Sequence, residues 1–547
     1  MGTDVYKTDV LIIGNGIAGL RAACSAGKVG ASVVVVGMGE GASPGIMAFN
    51  APVGPNDSAE LYFEDTLSCG CLINDRDLVR VLVENIISEI TYLERIGLKL
   101  DRNEKGDFDL MQALGASRAR LVHYKALTGI TSLDVLKKEA IKFDVAFHKP
   151  VMINRLICDE GHIIGAVGFN LSSGKFISYL AKSVVLAAGG CGSIYPVSQY
   201  PADIFGSGYS MAYLAGAKLV DMEFMQFDPC SFVYPEKLVG CSIPTTMLME
   251  GAQLRNAKGE IFVKVLNERG ARIHKDALSR AISKEIAEGR GTPNGGVFYD
   301  VSMLPAKKVI VDHSIFYEPA LEAGVDLTRE PAEVAPAAHS SLGGVKINER
   351  GETSLPGLYA AGETVGGLHG ANRPGGSAGA EVLVFGARAG KYAAESAREK
   401  RLAPEGKAAV LIAREKKRYK ERKLRSEGSM GLTEAMSVFY KIMADHLYII
   451  KNGQGINKAI GKLKDLEESI PQITVKNIQQ LSALHRFEHM LKSAQIVAAA
   501  ALIRTESRGV HYRSDYPERK DKQWLNNIVI QRLGDKMQIE IADVKNN

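Results

Sequence analysis

The residues whose spacing most directly implies chemistry stand near the start of the chain, in the stretch TDVLIIGNGIAG, where Gly14, Gly16 and Gly19 form a GxGxxG. The motif follows an apolar run and opens a segment of helical pattern. At this junction a bare backbone lets a pyrophosphate approach, and the helix amino end stabilises its charge. Alone it says only that a dinucleotide binds. The next apolar run, Val33 to Val36, ends on Gly37-Met38 rather than on the acid that grips a ribose hydroxyl, and the nearest acid is Glu40. NAD is therefore a less attractive resident than another dinucleotide. The seven cysteines, Cys24, Cys69, Cys71, Cys158, Cys191, Cys230 and Cys241, show no CxxC spacing. This suits a reducing compartment and argues against a metal or iron–sulfur cluster on this chain, so any such relay sits on another protein.

Elements that position the glycines follow from the patterning. Two later segments repeat the strand-then-glycine form: SVVLAAGG, ending on Gly189-Gly190, and GLYAAGE, ending on Glu363. Strands of this type, far apart in sequence, predict one parallel sheet assembled from distant parts of the chain. From about residue 232 to 335 the pattern changes to mixed strands, helices and turns, as expected of an inserted domain. From about residue 389 helical patterning dominates. The basic run of residues 414–425 (REKKRYKERKLR) reads as one solvated helix face.

With 547 residues, several domains are expected. The 46% hydrophobic and 24% charged content is that of a globular protein, and the net charge of +5 gives no argument for nucleic-acid binding. No run approaches a membrane-spanning length, and no signal-peptide pattern precedes the first strand, so cytoplasmic residence is the expectation.

Five ordered motifs carry a resemblance that covers nearly the whole chain. Residues 356–363 (PGLYAAGE) with residues 366–390 (GGLHGANRPGGSAGAEVLVFGARAG), residues 221–229 (DMEFMQFDP), residues 275–282 (KDALSRAI), residues 338–344 (AHSSLGG) and residues 505–525 (TESRGVHYRSDYPERKDKQWL) are similar to motifs of the fumarate reductase and succinate dehydrogenase flavoprotein family. That family includes L-aspartate oxidase and the adenylylsulfate reductase flavoprotein subunit. The resemblance implies an α/β fold: a doubly wound, Rossmann-like FAD-binding domain (residues 1–228 and 337–400), an inserted α+β capping domain (residues 229–336) and a helical carboxyl-terminal domain (residues 401–547). It implies FAD held by Gly14, Gly16, Gly19, Ser43, Gly189, Gly190, Glu363 and Glu381. Respiratory members carry SHT, with a flavin-bonded histidine, where this chain has Ser43-Pro44-Gly45, so noncovalent FAD is expected.

By the same resemblance His339 and Arg373 clamp a substrate carboxylate, Arg280 donates a proton and Glu250 relays it, with His123 and Asn372 in support. Departures fall at the second carboxylate site: Asp228 stands for the family's histidine, Cys230 and Met249 for threonines, and Gln253 for an arginine. Asp228, Met249 and Gln253 thus point to an unsaturated acid whose far end is cationic or hydrogen-bond donating, rather than to fumarate. The expected activity is reduction of an α,β-unsaturated carboxylate, with electrons from a separate iron–sulfur or ferredoxin-like partner and membrane attachment only through such a partner. The alternatives are an L-aspartate oxidase-like dehydrogenation and a non-catalytic electron-transfer subunit.

Overall fold

The computed structural model describes residues 4–112, 116–263, 275–423 and 428–544. Its central sheet has seven strands. The strand Asp4–Ile13 lies between Val33–Val36 and Phe176–Leu186, parallel to both, and Ala146–His148 extends the sheet beyond Val33–Val36. The free side of Phe176–Leu186 is shared. Its first half pairs with the antiparallel hairpin Val151–Asp159/His162–Asn170, and its last residues pair in parallel with Leu358–Ala360. Ile13 thus stands level with Leu186, and Leu186 with Ala360. The three glycine-terminated segments accordingly end side by side at the carboxyl edge of one parallel sheet, where open α/β sheets bind ligands. Val10, Leu11 and Ile12 are fully buried. Each such side chain contributes about 1.5–3 kcal/mol by leaving water.

A four-stranded sheet, in the order Met225–Tyr234, Ala332–Ser341, Val297–Asp300 and Gln253–Arg255, forms the inserted region together with the helix Lys275–Glu285. It has its own apolar core, from Cys230 to Val334. The boundary expected at residue 229 falls inside the strand Met225–Tyr234, so two long strands run from the FAD-binding region into the cap.

Beyond residue 401 come the helices Glu405–Lys423, Leu432–His446, Gly453–Ser469 and Ile478–Ile503. The side chains of Asn452 and Asn477 cap the last two. The chain does not stay helical to its end. Asn526–Leu533 and Lys536–Asp543 form a hairpin that joins a five-stranded sheet with Leu219–Val220, Gly344–Lys346 and Val365–Gly366. Alternation of polar and apolar residues in KMQIEIAD is the local signal for the second of these strands. No described helix is long and apolar enough to cross a membrane.

Candidate functional site

A cleft of about 690 Å³ runs along the carboxyl edge of the parallel sheet and ends against the cap. Gly14, Gly16, Gly189 and Gly362 line one wall, and Gly375, Gly376 and Gly379 line another. Gly14 has φ +123°, and a Cβ there would lie 2.0 Å from the Ala187 carbonyl oxygen. Gly19 stands behind the cleft, where a Cβ would lie 2.0 Å from the Gly14 carbonyl oxygen, so it sets how closely the first helix approaches the strand. The helices Ile17–Val29 and Ser377–Arg398 both start at the cleft after a glycine that offers no side-chain cap. Their first N–H groups are available to an anion, apart from Ile17 N, which donates to Ser43 Oγ at 2.9 Å, and Ser377 N, which donates to the Pro374 carbonyl at 3.3 Å. The Oδ1 atom of Asn15, another lining residue, is buried without a partner. Two uncapped helix ends, a glycine-lined wall and an unsatisfied buried acceptor fit a dinucleotide such as FAD.

Other expected cofactor contacts fall differently. Glu363 lines the cleft, accepting from Ser341 N at 2.8 Å and from the Tyr200 hydroxyl. Burial pushes its carboxyl up to about 7, against the pull of those hydrogen bonds. Gly190 is behind it, where a Cβ would lie 2.6 Å from the Glu363 carboxyl carbon. Glu381 does not reach the cleft: its neighbours Ala378, Gly379 and Val382 line it, while Glu381 turns to His369 Nε2 at 3.0 Å. Ser43–Gly45 forms a short 3₁₀ turn at the cleft wall. Among the described residues, His339 is the one histidine that lines the cleft.

At the cap end the polar groups interlock. The Gln199 amide donates to Asp228 Oδ2 (3.0 Å) and to Ser231 Oγ (2.9 Å), which turns its Oε1 toward His339 Nδ1 at 2.6 Å. His339 therefore carries its proton on Nδ1 and presents a lone pair at Nε2, 3.3 Å from Arg373 Nη2. Burial, aided by Arg373 and Lys275 and opposed by Asp228, pushes His339 down to about 3, so it is neutral at ordinary pH. Arg373 Nη2 also donates to Gln226 Oε1 at 2.9 Å, and Gln226 is tied to Asn372. Arg373 Nε is buried with no partner, which leaves one donor of the guanidinium for a ligand. Cys69 lines the same end, its thiol pushed up to about 12 by burial.

The geometry around Asp228 changes the reading of the second carboxylate site. Asp228 is not an open anion, because Oδ1 accepts from Lys275 Nζ at 2.8 Å and Oδ2 accepts from Ser242 Oγ at 2.5 Å as well as from Gln199. Burial alone would raise its pKa, but Lys275 and these hydrogen bonds hold it down at about 2. An intramolecular cation already fills the place expected for a cationic substrate end. Lys275 lines the cleft and adds a second positive charge to that of Arg373.

Arg280, in contrast, is absent from the lining. Its Nη1 donates to Asp276 Oδ2 at 2.7 Å and reaches the Gly509 carbonyl at 3.5 Å, and the guanidinium lies over Tyr512. The helix period explains the swap: five residues advance about 140° round the axis, so Lys275 and Arg280 occupy different faces of Lys275–Glu285. Glu250 is also away from the cleft, bonded to His313 Nε2 at 3.0 Å and paired with Lys308 at 3.4 Å. Met249 and Gln253 do not line it either; Gln253 Oε1 accepts from Arg255. His123 is buried beside Asp101. The sequence reading therefore missed Lys275, Gln199 and Gln226. Lys275 opens the KDALSRAI motif, and counting helix phase from it would have separated it from Arg280.

A glycine-lined dinucleotide cleft that ends in two cations and a neutral histidine defines a flavoprotein oxidoreductase. Residues 9–378 match the family described as FAD binding domain, and residues 437–547 match that described as fumarate reductase flavoprotein C-term. The chain is 38% identical to one subunit of the fumarate reductase (CoM/CoB) of Methanothermobacter marburgensis, over 97% of this chain and 98% of that one. It is 37% identical to an FAD-dependent oxidoreductase of Methanocaldococcus jannaschii, over 98% of each. Its fold superposes on a variant of the Escherichia coli quinol fumarate reductase FrdA with a TM-score of 0.92 at 28% identity, covering 100% of this chain and 98% of the other. The protein belongs to the fumarate reductase/succinate dehydrogenase flavoprotein family, FAD-dependent oxidoreductases that act on CH–CH bonds.

Proposed function

We propose that this chain reduces the double bond of a small α,β-unsaturated dicarboxylate of the fumarate type, using noncovalently held FAD and electrons from a separate carrier. The observation that carries this reading is the convergence of Arg373, His339 and Lys275 at the cap end of the cofactor cleft. Bound FAD supplies the hydride. Arg373 binds one substrate carboxylate through the donor that the protein leaves unpaired, and Gln226 and His339 fix the guanidinium plane. Hydride addition at one alkene carbon places negative charge on the other carbon and its carboxylate, and the two cations stabilise that charge. Lys275 gives a proton to this second carbon, which completes the saturated acid. Asp228 holds the ammonium in place and stabilises it when the proton is restored from solvent.

Noncovalent attachment is supported by Ser43-Pro44-Gly45 at the cleft wall and by the engagement of both His339 ring nitrogens within the protein. A separate carrier is supported by the scattered cysteines, which offer no CxxC spacing for a cluster. It is supported too by the name of the Methanothermobacter relative, which makes it one subunit of its enzyme. This reading replaces the preference for a cationic substrate end, because Asp228 is neutralised from within.

The test is anaerobic. Flavin should be released by acid precipitation of the protein, and the photoreduced flavin of intact protein should be reoxidised by fumarate faster than by urocanate or an aryl acrylate. Reoxidation by urocanate alone would restore the cationic-substrate reading. Silence from all three acids would leave an electron-transfer protein.

A further inference from the structure

A second cavity, of about 500 Å³, opens where the helical region meets the FAD-binding region. It lies further along the strand Val151–Asp159: Val151, Met152 and Ile153 line the cofactor cleft, and Asn154 and Arg155 line this cavity. No residue lines both. The helices Glu405–Lys423 and Ile478–Ile503 supply much of the remaining wall.

Most charges here are already matched. Arg418 pairs with Glu415 at 2.8 Å, Lys492 with Glu467 at 2.7 Å, Arg532 with Asp535 at 2.8 Å, and Arg422 with Glu488. Arg155 is held more loosely. It is ion-paired with Glu415, whose Oε2 lies 3.7 Å from Nε, beyond hydrogen-bond reach, and its side chain is 35% exposed. Its guanidinium lines the cavity and makes no hydrogen bond to a described residue, so its donors are open to an oxyanion.

Three more buried polar atoms along this wall lack partners: Asn154 Oδ1, His485 Nε2 and His489 Nδ1. The two histidines are 6% and 5% exposed, and burial holds both neutral, His489 down at about 3. His485 donates through Nδ1 to Glu488 Oε2 at 3.1 Å, so its Nε2 is left as an acceptor. The cavity thus offers a cation with unspent donors together with two unspent acceptors, Asn154 Oδ1 and His485 Nε2. Sulfate, which has no hydroxyl at neutral pH, satisfies the first requirement only; a molecule that carries an anionic group and hydroxyl donors satisfies both.

We infer that this cavity is a binding site for a small hydroxylated oxyanion, a polyol phosphate or a hydroxycarboxylate, with the charged group on Arg155 and hydroxyls on Asn154 and His485. The experiment is titration calorimetry of the flavin-loaded protein with glycerol 3-phosphate, tartrate and sulfate. Saturable binding of glycerol 3-phosphate or tartrate is expected, about tenfold tighter than sulfate, and whichever binds names the source of the anion. Arg155→Gln should weaken it about tenfold while flavin content and reoxidation by fumarate stay unchanged. Arg373→Gln should leave it intact, because that residue lines the other cleft. Asn154→Leu should weaken the hydroxylated probe but not sulfate, and it provides the test if Arg155→Gln does not fold. No saturable binding, equal binding by Arg155→Gln, equal affinity for sulfate, or loss of binding in Arg373→Gln would overturn the inference.

Discussion

Two charged clusters lie close together in this protein and are built on opposite principles. In the cluster behind the site, Arg504 gives its Nε to Glu223 at 2.6 Å and its other donors to Glu506, Trp524 O and Asn526 O. Arg508 is held by Glu506 at 2.6 Å and by Asp521 at 2.8 Å, and it donates to the Cys71 carbonyl. Both arginines are almost wholly buried, and these donors are spent on the protein itself. In the cleft, Arg373 keeps an unpaired Nε, and Lys275 stands beside an acid on one side and open space on the other. A satisfied network stabilises a shape, and an incompletely satisfied one holds a place for a ligand. The clusters are joined through the backbone: Val510 N donates to Ala371 O two residues before Arg373, and Ala371 N donates to Gly70 O. The rear cluster therefore positions the segment that carries Arg373.

This contrast can be broken by substitution. The largest expected effect is that of Arg373→Gln, which should lower fumarate-dependent reoxidation by about 10²–10³-fold with flavin retained. Normal turnover in that variant would move the clamp elsewhere. Lys275→Met should cost about 10²-fold or more, with part of the rate restored in Lys275→Arg, as befits an acid that also supplies charge. The rear cluster should respond in stability rather than in rate: Arg504→Met is expected to destabilise the protein by about 3–5 kcal/mol in denaturant titrations, because it leaves Glu223 and Asp221 buried without their cation. Below its own midpoint that variant should still turn over. Arg280→Gln and Glu250→Gln should change the rate by no more than a few-fold, since neither residue lines the cleft. A large loss in either would mean that the cap closes into an arrangement different from this one.

A pH experiment sharpens the same comparison. His339 binds its proton less readily folded than unfolded, about 3 against the ordinary 6.5. Between those values the unfolded chain holds the extra proton, so the stability this residue contributes is present above pH 6.5 and is lost as pH falls toward 3. His339→Gln should flatten the stability profile in that window by about 1.4 kcal/mol per pH unit. Asp228, held at about 2, acts in the same sense at lower pH, its contribution present above the unfolded carboxylate range and lost as pH falls through 2.

Much of this was readable from the chain before folding. Glycine-terminated apolar runs place Gly14, Gly189 and Glu363 at one sheet edge, because a parallel strand followed by a tight turn leaves few alternatives. His339 and Arg373 sit in motifs whose order survives into the structure. What could not be read was orientation. Glu250 belongs to a 3₁₀ turn on the cap, and only the packing of His313 and Lys308 shows which way it points. Asp228 read as an unpaired anion facing the substrate because its partner lies 47 residues away on the first residue of a helix. The terminal hairpin was hidden by the long helical stretch before it, and its edge was settled by pairing with Leu219–Val220, some 300 residues earlier.

The most direct measurement compares wild type, Arg280→Gln and Lys275→Met in anaerobic stopped flow, following flavin reoxidation by fumarate at saturating concentration. The account predicts fast reoxidation in the first two and a loss of about 10²-fold in the third, with flavin content equal in all three. Fast reoxidation in Lys275→Met with loss in Arg280→Gln would contradict it, and would return the proton-donating role to the arginine that here lies against Asp276.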